Sequence, residues 1–436
     1  MMNTQQLSLA DSPPMLIPLS FFALAPIAIV AAGAVLLVAG SEALTTRWAP
    51  STLGLTHIAT LGLLTSVMLG ALYQMIAVVV GSPVPWPRAA HLVLLLFVIG
   101  AAGLCLGLAL VSDGIMLVAV ASLVLGLLIF VVPVGLALAR SQSWDATVFG
   151  ISAALASLLG VMVIGAWMAI GLAGAGLPGA RGLWSQAHLS IALLGWVGGL
   201  IAAVSWQVLP MFYLVPNAPP SLKWAIQIGA ALAGLLPASI LLIDRLALLP
   251  EAGTLSLQTL VLLAALPGAL AIWIAHPVQA LLSLKGRRRK RVDGSLLFWQ
   301  AGLVGGLLTA LLAAAAFWHS SPQLDLLFGW FALWGWAGMI MHGMLTRIVP
   351  FVYWLSRCAP LVGRVRVRSV RKLLPDAWTR RGFAIHLASL GLGAAAILSG
   401  WAVLARLTGL SLVIVGLWLG RSLLHVVRQP PELPAR

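Results

Sequence analysis

His188 to Tyr213 reads HLSIALLGWVGGLIAAVSWQVLPMFY, 26 residues without one Lys, Arg, Asp or Glu. As an α-helix this run extends about 39 Å, enough to cross a hydrocarbon core of about 30 Å. It lacks the period-2 alternation of a barrel strand. Unpaired backbone groups in lipid cost several kcal/mol each, so the run is read as a spanning helix. Similar runs recur along the chain, and spans are expected at roughly 15–40, 53–80, 89–112, 114–139, 146–175, 187–213, 222–247, 255–283, 295–318, 326–354, 382–405 and 407–426. The expected fold is therefore an all-α membrane protein with about twelve transmembrane helices, forming a single transmembrane domain over residues 1–436.

The composition agrees with that reading. Hydrophobic residues make up 61% of the 436 positions and charged residues 8%, and mean hydropathy is +1.07. The formal charge of +15 would point to nucleic acid in a soluble chain, but here its placement decides. With the N-terminus inside, 21 of the 25 Lys and Arg fall on the inner side, and only Arg47, Arg181, Arg245 and Arg406 lie outside. That bias predicts a multi-pass protein of a bacterial-type inner (cytoplasmic) membrane with both termini cytoplasmic, whose partner is the lipid bilayer and not nucleic acid. Met1 to Pro14 carries no Lys or Arg and no small-residue cleavage site follows the first apolar run, so no removable targeting peptide is expected. Cys105 lies within a span and Cys358 in an inner loop, which supports neither a disulfide framework nor a cysteine metal site.

Two further runs align with the opening one without gaps: HIATLGLLTSVMLGALYQMIAVVVG from His57 and FGWFALWGWAGMIMHGMLTRIVPFVYW from Phe328. Gly62, Gly195 and Gly335 coincide, 133 and then 140 residues apart, with four spans in each interval. Gly70, Ala203 and Gly343 also coincide; so do Tyr73, Trp206 and Thr346; Gln74, Gln207 and Arg347; and Ala77, Pro210 and Pro350. Close helix packing explains the small residues but not the matching polar and proline positions. The expected organisation is three four-helix units, roughly 1–139, 140–283 and 284–426, with a C-terminal tail at 427–436.

Twelve helices in three groups of four resemble the catalytic subunit of the heme-copper oxidase and nitric oxide reductase superfamily. In the C-type oxidases of that superfamily, the tenth span carries a His-x-His pair, a Leu-Gly-Trp segment and an aromatic-x-x-x-Pro ending. His188, Leu193 to Trp196 and Trp206 to Pro210 resemble that pattern, with Ser190 where the second histidine would stand. The local likeness covers one span; the rest of the chain is alike only in span count and repeat spacing.

Among eight histidines, His57 and His188 stand apart, because both lie on repeat-related spans toward the outer face, where a polar group without a partner is expensive. His57 precedes Ala77 by 20 residues and His188 precedes Pro210 by 22. In the superfamily, the low-spin heme is held by a histidine of span 2 at the longer of these offsets and one of span 10 at the shorter. Advancing that pattern by one repeat moves the longer offset to span 6 and the shorter to span 2. The resemblance thus implies heme b with His57 and His188 as axial ligands to the iron. The residues alone leave other readings open: a histidine capping or hydrogen-bonding near a helix start, or copper or another ligand. His342 is a secondary candidate, either packed against a carbonyl or facing a pocket group. His91, His276, His386 and His425 are expected at inner helix ends, bonded to lipid headgroups or water, and His319 likewise at the outer end.

The family's copper site needs a histidine on span 6 and a pair on span 7, and KWAIQIGAALAGLLPASILLIDRL contains none. No copper and no oxygen-reducing copper oxidase is expected; any enzyme activity would be that of a heme-dependent oxidoreductase. All ten acids, from Asp11 and Glu42 to Glu251, Asp376 and Glu432, are read into tails, loops or helix ends, which argues against a carboxylate proton relay. The expectation is a heme protein of electron transfer or nitric oxide chemistry, with a redox partner protein or quinol as donor. The alternative is a small-solute transporter without heme, with Gln74, Gln207 and Arg347 at its inner mouth.

Overall fold

The computed structural model describes residues 13–175, 181–246 and 255–432. Met1–Ser12 (Asp11 among them), Glu251 and Arg436, which the sequence assigns to tails and loops, lie outside the described residues. Within them, twelve helices are long and apolar enough to cross a membrane: α1 Leu16–Leu44, α2 Pro50–Ala77, α3 Ala89–Leu110, α4 Asp113–Ala139, α5 Ala146–Gly174, α6 Arg181–Tyr213, α7 Pro220–Arg245, α8 Leu257–Lys285, α9 Gly294–Trp318, α10 Pro322–Leu361, α11 Asp376–Ser399 and α12 Ala402–Val427. The expected all-α membrane fold is the observed one. The only β pairing among the described residues is a single antiparallel bridge, Val367 with Glu432.

Helix starts follow local chemistry. Asp145 accepts hydrogen bonds from the Thr147 and Val148 amides, both at 2.9 Å, and so caps α5. Asp293 accepts from the Leu296 amide at the start of α9, and Ser321 from the Leu324 amide at the start of α10, where Pro322 needs no amide partner. Gly400, at φ +68°, stops α11 in a left-handed turn that other residues resist.

The chain packs as two compact units, Met1–Val78 with Arg291–Gly305 and Leu312–Arg436, and Val79–Lys290 with Gly306–Leu311. In the first unit α1 crosses α12 at glycine: a Cβ on Gly33 would stand 2.5 Å from the Gly409 carbonyl oxygen. In the second, α7 meets α8 where a Cβ on Gly229 would stand 2.7 Å from that of Ala271. Small residues let backbones approach in lipid, where no water is left to drive helices together.

The three aligned helices share a local irregularity. Each turns π-helical for eight residues, at Ile58–Thr65, Ile191–Gly198 and Phe331–Gly338, and Gly62, Gly195 and Gly335 are the fifth residue of each segment. Each of these glycines also meets the preceding helix of its own unit closely. A Cβ on Gly62 would lie 2.7 Å from Ala28 Cβ, one on Gly195 would lie 2.5 Å from Ser157 Oγ, and one on Gly305 would lie 2.2 Å from the Gly335 oxygen. A π turn adds a residue to the helix, re-aims the side chains around it and loosens its carbonyls.

Candidate functional site

His57 closes the first α-helical stretch of α2, Pro50–His57, immediately before the π turn. Its Nδ1 lies 2.8 Å from the Leu53 carbonyl oxygen. A carbonyl can only accept, so Nδ1 carries the proton and Nε2 keeps its lone pair. The half-buried ring is thereby held in one tautomer, the arrangement in which an imidazole nitrogen can bind metal.

His188 lies in the other unit, half-buried on α6 three residues before its π turn. Trp184, Ala187 and Ile191 around it are buried and pack with Ile164, Leu241 and Val261. The imidazole lies against Gly165 of α5, where a Cβ would stand 3.0 Å from His188 Cε1. Glycine there makes the room the ring occupies.

Of the secondary candidates, Gln74 is buried and Gln207 exposed, so these aligned glutamines have different surroundings. Arg347 of α10 pairs through Nη2 with Oδ2 of Asp293, the cap of α9. Both side chains are nearly enclosed, at 14% and 11% exposure. Burial of such a pair is tolerated because the carboxylate's other oxygen is also used, accepting from Ser295 Oγ at 3.0 Å and the Leu296 amide at 3.2 Å.

His342 is fully buried, and the structure joins it to a residue the sequence placed elsewhere. Its Nδ1 lies 3.0 Å from Nδ1 of His386 on α11, whose Nε2 lies 3.1 Å from the Trp334 carbonyl oxygen. The carbonyl fixes the direction of the whole chain of bonds: His386 Nε2–H donates to Trp334, and His342 Nδ1–H donates to His386 Nδ1. The Trp334 carbonyl belongs to the π turn of α10. The His386 ring stacks on the Trp334 indole at 3.8 Å and 8°, and that indole Nε1–H donates to Ser389 Oγ at 2.9 Å.

His386 and His276 are corrections to the sequence reading, which put both at headgroup level. Both are fully buried. The reason is helix length: α11 begins at Asp376, ten residues before His386, and α8 continues to Lys285, nine beyond His276. His276 lies 3.0 Å from Ser205 Oγ within its own unit, and Ser205 donates to the Ala202 carbonyl, so His276 Nε2–H donates to Ser205. The missed pair did leave one trace in the sequence, since His342 and His386 each stand four residues after a glycine, Gly338 and Gly382. His91 and His319 are exposed, as an interfacial position requires, and His425 lies 2.7 Å from Gln429 Nε2 near the end of α12.

No group of three or more His, Cys, Asp or Glu side chains able to hold a metal ion occurs among the described residues. No protein-family model matches the chain, and no curated protein matches it significantly.

Proposed function

We propose that this integral membrane helical protein binds heme b, with His57 as an axial ligand, and that it carries electrons between a quinol or a redox protein and an acceptor. The observation that carries the reading is the His57 Nδ1–H bond to Leu53, which leaves Nε2 unprotonated on a ring that cannot turn freely. An imidazole nitrogen with its lone pair free is suited to heme iron, and the register of the aligned helices singled out His57. Bound heme b would supply one-electron redox chemistry; the chain would hold it, shield it from water and set its potential through the axial donor.

The test is the absorption spectrum of the purified full-length protein in detergent, oxidised and dithionite-reduced. A Soret band with reduced α and β bands is expected, and His57→Ala should lose or shift it while the thermal unfolding midpoint is kept. A folded, colourless wild type, prepared from heme-replete cells, refutes the proposal and favours a small-solute permease.

A further inference from the structure

At one end of the first unit, the starts of α9 and α11, the last part of α10 and the short helix Val370–Leu373 line a half-open cavity of about 140 Å³. Its polar lining is dominated by charge: Arg291, Arg347 and Arg371 against Asp293 and Asp376. Both carboxylates are already satisfied. Asp293 holds Arg347, Ser295 and the Leu296 amide, and Asp376 takes the Gly294 amide at 2.7 Å on Oδ1 and Arg380 Nε at 2.9 Å on Oδ2. Arg291 and Arg371 have no carboxylate within 4.0 Å among the described residues. Four guanidinium groups, those of Arg291, Arg347, Arg371 and Arg380, thus stand near two carboxylates, an excess of two positive charges.

Arg291 and Arg371 are exposed, so both guanidinium groups can be reached from solvent. The lining is mostly polar, with Pro350, Val370 and Leu374 as its apolar part, and like charges gathered at one recess repel each other. An anion removes the repulsion. The cavity is roughly ten times the volume a single water needs, so a tetrahedral oxyanion fits. Guanidinium groups present paired N–H donors that match phosphate oxygens two at a time. The charge also matches, since a phosphate ester carries one to two negative charges. The Arg347–Asp293 pair then acts as a brace, holding the cavity's floor and the start of α9 while Arg291 and Arg371 reach the ligand. The lining lies where two helices long and apolar enough to span a membrane begin, so a lipid phosphate and a soluble phosphate are the two sources of such an anion.

We propose that this cavity is a binding site for a phosphate-bearing anion, held by Arg291 and Arg371. The proposal does not depend on heme.

The full-length protein is reconstituted in nanodiscs of phosphatidylcholine, with or without phosphatidic acid. One arm measures retained phosphatidic acid by native mass spectrometry. The other titrates inorganic phosphate against chloride at matched ionic strength and follows the thermal midpoint. Wild type should bind saturably in at least one arm: retention of phosphatidic acid without a phosphate effect assigns a lipid headgroup, and the reverse assigns a soluble phosphate. Arg371→Gln should weaken binding by about tenfold and Arg291→Gln with Arg371→Gln by about a hundredfold, one guanidinium contact being worth about a factor of ten or more. Arg88→Gln with Arg140→Gln, which removes the same charge in the other unit, should leave binding unchanged. Absence of saturable binding in both arms overturns the proposal. So does unaltered binding by the Arg371 variant, or equal loss in the Arg88 and Arg140 control.

Discussion

Replacing His386 with Phe tests the bond directions assigned to the buried histidine pair. Phenylalanine keeps a ring to stack on Trp334 but deprives two enclosed groups of partners, the His342 Nδ1–H donor and the Trp334 carbonyl. A buried polar atom left without a partner costs about 1–3 kcal/mol in water-soluble proteins. Within a bilayer the unfolded chain also finds partners, and measured side-chain hydrogen bonds average about 0.6 kcal/mol with a maximum of about 1.7. Two lost bonds therefore predict a destabilisation of about 1–3 kcal/mol for His386→Phe. His342→Leu gives up one bond, so its polar cost is about 0.6–1.7 kcal/mol. The double variant removes both ends of the shared bond, so its loss should fall short of the sum of the single losses by about 0.6–1.7 kcal/mol. The assay is reversible unfolding in mixed micelles by denaturing detergent, followed by tryptophan fluorescence. Additivity of the two substitutions within about 0.3 kcal/mol would refute the bond between the rings.

Asp293→Asn keeps an oxygen to cap α9 but leaves the enclosed Arg347 charge uncompensated, and about 3 kcal/mol of stability should be lost by the same unfolding assay. Adding Arg347→Gln should recover most of that, because no charge is then stranded. Gly305→Ala drives a methyl to 2.2 Å from the Gly335 oxygen, a backbone atom that moves only with its helix, so a loss of about 1–3 kcal/mol is expected. Gly114→Ala, with nothing within 4 Å of its new Cβ, should be neutral or slightly stabilising in the same titration.

What could be read from the chain in order is what lipid imposes locally. A spanning segment must satisfy its own backbone, so apolar runs of sufficient length determined twelve helices. The aligned glycines were legible for the same reason, since close packing restricts side-chain size at fixed register, and His57 needs only Leu53, four residues away, to hold its ring. The partners of the buried polar groups were not legible. His342 finds His386 across 44 residues, Arg347 finds Asp293 across 54, and Ser205 finds His276 across 71. These helices are apolar nearly all round, so no hydrophobic stripe states which face turns toward which neighbour. Only the tertiary packing decided that His276 and His386 leave the interface for the interior, and that Arg291 and Arg371 gather at one cavity.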